Sequence, residues 1–520
     1  MAAPNRRCPQ DVQPDTTFVT KAFFTPIATT AAAWRRTWVR PQRFRSSASM
    51  ELHPRSLPSS ADVDHGDLEP ESADRPQATI RDESRTTAGV ESPSAEDVRR
   101  TDSLVQPTEA ISASNSAWLP LTNSTFRLFW IASLISNLGT WIHEVGAGWL
   151  MTSLDADPSM VSGVRVAMSL PIMFLAIPMG GLIDRVSRRT SLMVTTVGLL
   201  LLTATLTGLT YRGMIGPWGL LAFTFAIGVG VVGHMLAWQS SVPELVPRAQ
   251  LSRAVALGSI SFNMARAVGP AISGLLIAIA GSWLAFGINA ASFFVVLAVV
   301  VAWRTESVIR KPSRRFVDSL REGFQHCRDC PSIRATLWKL LLFVLPASSL
   351  WSLLPLYIRE DLGWNSLGFG VSVTLLGSGA LVGAIFLHRG QQRFGFDRTV
   401  WFTTTCFSIA LAVAGWLVSP IVLVPSCLMM GAAWMMTLTT LNSNAQMNLP
   451  SEVRGRGMSF YVTTMSFSMV VGSWGWGQVA SRIGVPSTIA VAGVAMFLLG
   501  WVASRTPMEQ PQDCSQNLIA

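Results

Sequence analysis

The sequence predicts an all-α integral membrane protein with twelve transmembrane helices in two groups of six. Three observations carry this. Apolar runs of about 20 residues, the length that crosses a bilayer core, recur from Phe126 onward; the breaks between them alternate between arginine-rich and arginine-poor; one long break divides the runs six and six. Of the 520 residues, 49% are apolar and only 14% charged, against about 25% charged in soluble domains. The charges are also uneven: residues 1–118 hold 14 basic and 16 acidic side chains, and the remainder holds 26 and 15.

Residues 1–118 are rich in Ser, Pro, Thr, Arg and acids and lack sustained apolar periodicity. A disordered N-terminal tail is expected, because such a chain cannot bury enough surface to offset its ordering entropy. Within it, Ala22 to Trp34 follows Lys21 and faintly imitates a signal-peptide core, weakened by Pro26 and its threonines. Met50, ahead of an acidic segment, leaves a later start equally open.

The expected spans are Phe126 to Thr152, Ser159 to Ile183, Thr190 to Tyr211, Pro217 to Ser240, Val255 to Ala280 and Ser282 to Ala302. The second six are Ile333 to Ile358, Leu367 to Leu387, Thr399 to Leu417, Ile421 to Leu441, Gly457 to Ala480 and Pro486 to Ala503, followed by a C-terminal tail over 504–520. The breaks after even-numbered spans, with Arg334 at the edge of the seventh span, hold eighteen Lys or Arg, Arg185, Arg188 and Arg189 among them, whereas those after odd-numbered spans hold only Arg212, Arg359 and Arg482. The positive-inside rule then places both termini in the cytoplasm, which argues against a cleaved signal.

The long break, residues 304–332, separates a bundle over 119–303 from one over 333–503. In it Phe316, Leu320, Phe324 and Cys327 share one helical face and the charged residues take the rest, so an amphipathic helix on the cytoplasmic membrane surface is expected. Two bundles joined in this way can rock about a midplane cavity, the geometry of alternating access.

Other classes are disfavoured by what the residues do not form. The net charge of +9 is not arranged as a basic stripe with interleaved aromatics, so no nucleic-acid partner is expected. Six cysteines form no disulfide framework; Cys327 and Cys330 make a CxxC without further zinc ligands or a thioredoxin-like context, so no metal and no cofactor are expected. His143 and Glu144 begin like HExxH, but position 147 is Ala, and no GxxxxGK(S/T) phosphate loop occurs. The chain therefore reads as neither an enzyme nor an ATP-driven pump.

The break after span two runs Gly180, Gly181, Leu182, Ile183, Asp184, Arg185, Val186, Ser187, Arg188, Arg189. It resembles the GxxxDRxGRR signature of the major facilitator superfamily, with Ser187 at the usual glycine. A carboxylate and three guanidiniums at a helix end can form a charge-assisted latch, or the arginines can simply anchor topology. In span five, Gly269, Pro270 and Gly274 resemble the GPxxGG element of exporter-type members, with Ser273 for the first glycine of its closing pair; such residues permit close packing and a bend. Asn137 to Leu154, Pro243 to Arg248, Gly323 with its amphipathic helix, Leu353 to Tyr357 and Leu449 to Tyr461 resemble the transmembrane secretion effector branch, also called drug:proton antiporter-3, which includes enterobactin and macrolide exporters. The resemblance covers nearly all of residues 120–503. It implies the major facilitator fold, a cell-membrane location, and proton-coupled export of a small amphipathic or anionic cargo by a monomer. Its partners are then cargo, protons and the lipid bilayer. Metabolite uptake, facilitated exchange, or a non-transporting sensor or scaffold are the alternatives.

Ionisable groups inside spans are functional candidates because each needs a partner or water. They are His143, Glu144, Arg165, His234, Arg266 and Lys339, with Asn137 as a further candidate cavity residue. Glu144 lies eleven residues before the hairpin tip at Asp155 and Arg165 ten after it, so at about 1.5 Å per residue they share a depth and are expected to face each other. The pair either neutralises a buried charge permanently or opens during transport, with Glu144 taking a proton. His143 and His234 stand where the resembling proteins tend to have Gln and Asn, as cavity chemistry or polar packing. Arg266 is placed to meet an anionic cargo or a helix C-terminus, and Lys339 to snorkel to the near interface. Among 19 tryptophans, Trp130, Trp141, Trp149, Trp351, Trp416, Trp434 and Trp474 are candidates to line a cavity, or mark interfaces.

Overall fold

In the computed structural model of the chain, residues 117–183, 186–303, 316–450 and 454–508 are described. The expected disordered tail, apart from its last two residues, lies outside them, as do Asp184 and Arg185 of the expected latch, residues 304–315 of the linker and 509–520 of the C-terminal tail. Among the described residues all regular structure is helical. The first set is α1 (Ser124–Leu154), α2 (Pro158–Ile183), α3 (Arg188–Tyr211), α4 (Pro217–Leu245), α5 (Leu251–Ala280) and α6 (Ser282–Ala302). A connecting helix α7 (Phe316–Asp329) leads to α8 (Pro331–Leu356), α9 (Ser366–Trp416), α10 (Pro420–Asn448), α11 (Arg454–Ile483) and α12 (Val485–Ser504).

Local chemistry sets the ends. The Asn123 side chain caps α1 by accepting from the Thr125 and Phe126 N–H groups, and Pro217, Pro331 and Pro420 open helices where a missing N–H costs nothing. Ser187 caps α3, its hydroxyl accepting the Thr190 N–H at 3.1 Å. The serine that departs from the glycine of the signature thus holds a helix start, the role for which serine is preferred.

By length and hydropathy, nine helices of the described residues qualify as membrane spans, against the twelve expected. The difference has two sources. The polar residues of α1 and the serines and glycines of α11 dilute hydropathy, and neither helix is in the set. The 51-residue α9 counts once although it holds the expected eighth and ninth spans, with Gly395 at φ 76° between them. Only at that residue does the backbone leave helical geometry, and glycine adopts the left-handed region without Cβ strain.

Within the first set α1 packs on α5 and α6, α2 on α4, and α3 on α4 and α6; among the later helices α8 packs on α11 and α12, and α9 on α10 and α12. Two seams join the sets, α2 against α11 and α5 against α9, and α8 touches both α1 and α2. The seams are tightest toward the helix ends near Asp157. A Cβ on Gly274 would stand 2.6 Å from the Ser366 carbonyl oxygen and one on Gly477 2.0 Å from Ser162 Oγ, so only glycine allows these approaches. Hydroxyls complete the closure: Ser481 donates to Asp157 Oδ1 at 2.7 Å and meets Ser159 Oγ at 2.8 Å. Arg359 donates to Thr152 Oγ1 at 3.1 Å and to Ser153 Oγ, while its guanidinium lies 5.6 Å from the Trp149 ring centroid. Toward the Arg188 end, by contrast, α5 exposes Val255, Ile260 and Phe262 and α9 exposes Leu381, Ile385 and Phe386.

Lys339 corrects an expectation. It does not snorkel: it is 3% exposed and paired with Asp397 at the start of the second half of α9. Asp397 Oδ2 also accepts the Met508 N–H at 3.0 Å, so the chain beyond α12 closes over the pair.

Candidate functional site

A small cleft lies where α1 and α2 meet α8 and α9. Its walls are mostly apolar, with Met168, Pro355 and Phe369 among them, and two indoles, Trp141 and Trp351, frame its charged groups. Those groups are Glu144 and Arg165, which form an ion pair between α1 and α2 with side chains 16% and 20% exposed. The equal depth read from the hairpin tip is thus realised as contact. The Arg165 guanidinium also sits 5.8 Å from the Trp351 ring centroid, so an aromatic of the second set supports a cation of the first.

The α5 segment over Gly269, Pro270 and Gly274 packs both ways. A Cβ on Gly269 would stand 2.8 Å from the Trp141 Cβ, and one on Gly370 of α9 2.6 Å from the Pro270 oxygen. Ser273 donates to the Ile142 carbonyl at 2.8 Å, so this second departure from a glycine pattern adds a buried tie to α1. Arg266, one turn before Gly269, is half-buried and within electrostatic reach of Glu144. No hydrogen bond or ion pair engages its guanidinium among the described residues. Trp351 likewise leaves its buried indole N–H without an acceptor.

The other candidates lie elsewhere. His143 is 2% exposed and turned toward α6, its ring 4.7 Å from that of Phe286 and both ring nitrogens without partners. His234 makes a 3.3 Å contact through Nδ1 to Thr196 Oγ1 and packs against Trp238 and Phe293. Asn137 donates to Ser133 Oγ and, across to α5, to Ser261 Oγ at 3.1 Å. At the far end of α2, whose last turn includes Gly180, Arg188 pairs with Glu244 of α4 at 2.6 Å. Arg189 donates to the Val301 carbonyl at 2.9 Å, meeting the negative end of α6. Of the seven tryptophans, Trp141 and Trp351 line the cleft, Trp149 stacks on Phe369, and Trp416 is 81% exposed.

Sequence reasoning missed Glu244, Asp397, and the Asp157 and Ser481 pairing. Glu244 was readable as the one acid facing the arginines from a neighbouring helix end; the others depend on contacts between distant helices.

A bundle of long apolar helices with an ion pair in an apolar cleft is the architecture of an integral membrane protein. Residues 115–518 match the family model for transmembrane secretion effectors, and the chain belongs to that family of major facilitator transporters. It is 23% identical over 381 residues to the staphyloferrin A transporter of Staphylococcus aureus, covering 72% of this chain and 94% of the relative. It is 26% identical over 410 residues to the multidrug efflux pump Tap of Mycobacterium tuberculosis, covering 73% and 93%. A solved bacterial homologue of the human lysosomal transporter Spinster, inward-facing and unoccupied, shares the fold with a TM-score of 0.59 at 11% identity, covering 74% of this chain and 97% of that one.

Proposed function

We propose that the chain is a monomeric, proton-coupled exporter of a small amphipathic molecule, working by alternating access in the cytoplasmic membrane. In this reading the two helix sets are the two six-span halves. Twelve crossings result when α1 and α11 are counted with the nine and α9 is divided at Gly395. The arginine-rich end is cytoplasmic, with both termini there. The conformation is then closed outside, along the Asp157 and Gly274 seams, and open inside. Relatives named for a siderophore and for several drugs support export of such molecules.

The observation that carries the reading is the Glu144–Arg165 pair, set in a cleft walled by both halves. Rocking the halves moves α8 and α9 relative to α1 and α2, and so changes the water contact and the aromatic support of the pair. When the site faces outward, an external proton neutralises Glu144 and frees Arg165. When it faces inward, the proton leaves, the pair re-forms and cargo enters beside it. The Gly269, Pro270 and Gly274 segment serves as the close-packed seam about which the halves turn. Arg188 and Arg189 hold the cytoplasmic ends of α3, α4 and α6 as one body.

The test is release of protons from acidified everted vesicles on adding siderophores, macrolides and cationic dyes, for the wild type and Glu144→Gln. Cargo-dependent release in the wild type and none in the variant is expected. Equal release in both would reduce Glu144 to a structural partner of Arg165, and no release with any cargo would sink the exporter reading.

A further inference from the structure

Toward the Asp157 end the cleft is roofed in layers, and each layer is a contact between the two sets. Gly148 of α1 lies against α8, where a Cβ on the glycine would stand 3.3 Å from the Pro355 Cγ. Trp149 of α1 stacks on Phe369 of α9, with ring centroids 5.9 Å apart and planes 21° from parallel. Pro355 and Phe369 also wall the cleft, so these two layers touch whatever fills it. Beyond them is Arg359, whose guanidinium lies 5.6 Å from the Trp149 ring centroid and donates to Thr152 Oγ1 at 3.1 Å and to Ser153 Oγ.

Local structure aims this arginine. After Leu356 the chain widens into a π turn over Tyr357–Asp361, the Leu362 N–H reaching back five residues to the Tyr357 carbonyl at 3.1 Å; such turns recur at functional sites. The buried Tyr357 hydroxyl donates to the Ala414 carbonyl of α9 at 2.6 Å and so fixes the turn to the second set, while Arg359 crosses to the first. Its acceptors are oriented: the Thr152 hydroxyl donates to the Trp149 carbonyl at 2.7 Å, which leaves the oxygen's lone pairs for the guanidinium. The last turn of α1 has no basic residue of its own, and a cation there meets the negative end of the helix dipole. A second partner sits on the same turn as Arg359, with Glu360 Oε1 3.6 Å from its Nε. Topology does not call for an arginine at this end, where the breaks hold only Arg212, Arg359 and Arg482.

Resting on the reading of the cleft as the cargo site and of the Asp157 end as the outer one, we propose that Trp149 and Arg359 are positioning residues that make the outer gate respond to cargo. A molecule in the cleft displaces Phe369, the Trp149 ring loses its stacking partner and its place beside the guanidinium, and Arg359 leaves Thr152 and Ser153 for Glu360 on its own turn. The cleft is small in this closed form, so a drug-sized molecule is held only when the walls part, and the stack of Trp149 on Phe369 joins walls that must part. Cargo therefore favours the form in which stack and clasp are broken, and that difference in affinity moves the equilibrium. The clasp sets a cation on two hydroxyls and a helix end with a carboxylate alongside, so it exchanges partners without stranding a charge. An empty carrier keeps its outer gate shut.

The test places a reporter thiol in the seam but outside the cleft. Ser366 of α9 is 4% exposed and donates to the Gly274 carbonyl at 3.2 Å, so Ser366→Cys meets an impermeant maleimide added outside right-side-out vesicles only when the outer end opens. Its labelling rate in the full-length chain is followed by mass spectrometry, with ethidium, erythromycin or enterobactin equilibrated across the membrane or absent. At least one probe is expected to raise the rate about fivefold or more, and Trp149→Leu to cut that response to about twofold or less. Phe369→Leu breaks the stack from the other side and cuts the response alike, whereas Trp149→Phe, which keeps a ring for both neighbours, retains most of it. Arg359→Gln raises the rate without probe and leaves little further response, and Arg359→Lys restores part of the low rate. The response is a ratio within one sample, and the fully buried Cys427 of α10 stays unlabelled in a folded variant, so unfolding does not imitate the result. No response to any probe, a response unchanged in Trp149→Leu and Phe369→Leu, or an unchanged resting rate in Arg359→Gln would each overturn the proposal. Proton release from everted vesicles separates this from the exporter reading. Release together with a response that ignores Trp149 keeps the exporter and loses the coupling; a Trp149-dependent response without release does the reverse.

Discussion

Two ion pairs in this chain use the same chemistry in opposite ways. Lys339 and Asp397 lie within the second set, with the lysine almost wholly buried and the Met508 N–H drawn onto the second carboxylate oxygen. Glu144 and Arg165 lie between α1 and α2, at the wall of a cleft whose far side belongs to the other set. The first pair joins two helices of one set; the second lies where the two sets meet. The contrast teaches that the presence of an ion pair says little about function, whereas the elements that wall it say more.

Replacing each pair whole would break or sharpen this comparison most. Glu144→Leu with Arg165→Met should leave a folded protein and reduce cargo-linked proton flux to background. Lys339→Met with Asp397→Leu should keep both fold and flux, since an apolar substitute for a buried pair is often neutral. Flux lost in the second double variant, or kept in the first, would reverse the assignment of the two pairs. Next in size are the single replacements. Lys339→Met strands Asp397 and Arg165→Met strands Glu144; a fully buried stranded charge costs roughly 3–5 kcal/mol, and the cost here is smaller because each carboxylate keeps some contact with solvent. Thermal unfolding in detergent should show the larger loss for Arg165→Met, because the stranded Glu144 side chain is 16% exposed whereas Asp397, at 38%, regains water more readily.

A smaller effect is expected at the seam. Gly274→Ala drives a Cβ to within 2.6 Å of the Ser366 oxygen, so α5 and α9 must part. The cost of about 1–3 kcal/mol falls on the closed-outside form alone, which should raise labelling of a Ser352→Cys thiol by an impermeant maleimide added outside. Unchanged labelling would show that the seam is not the gate.

The smallest effect is a dependence on external pH. The Ser481 hydroxyl, and more weakly the N–H and hydroxyl of Ser159, hold the Asp157 carboxyl below its usual range, with burial opposing. A depressed carboxylate favours the closed seam above its ordinary pKa and stops doing so as pH falls through the lowered one. Because Asp157 is exposed, the contribution stays below about 1 kcal/mol. Ser481→Ala should move the midpoint of acid-induced opening upward, measured by the same labelling.

Much of this was legible from the chain. Apolar run length located the helices, and counting residues from the tip at Asp155 put Glu144 opposite Arg165, because a tight hairpin fixes relative depth along two antiparallel helices. The departures Ser187 and Ser273 were legible as departures, and their roles as a cap and a tie appeared only with neighbours in place. Depth gives no rotation and no partner from another hairpin. For that reason Lys339 was assigned to the interface, Asp397 was not matched to it, and Trp351 stood as one of seven tryptophans.

The sequence by itself determined the solvent of this protein, its helices, the alternation of its charged breaks and the one hairpin pairing at the candidate site. These are local properties, set by the hydropathy of about 20 residues at a time and by the fixed rise of a helix. Only the tertiary structure decided which faces meet: that Trp351 comes under Arg165, that Lys339 and the Met508 N–H both reach Asp397, and that the halves close at one end. The physical reason is that lipid is as apolar as the helix surfaces it covers. Hydrophobicity drives a helix into the membrane but does not choose its neighbour; that choice falls to small residues that admit close backbones and to polar groups seeking partners across the bundle.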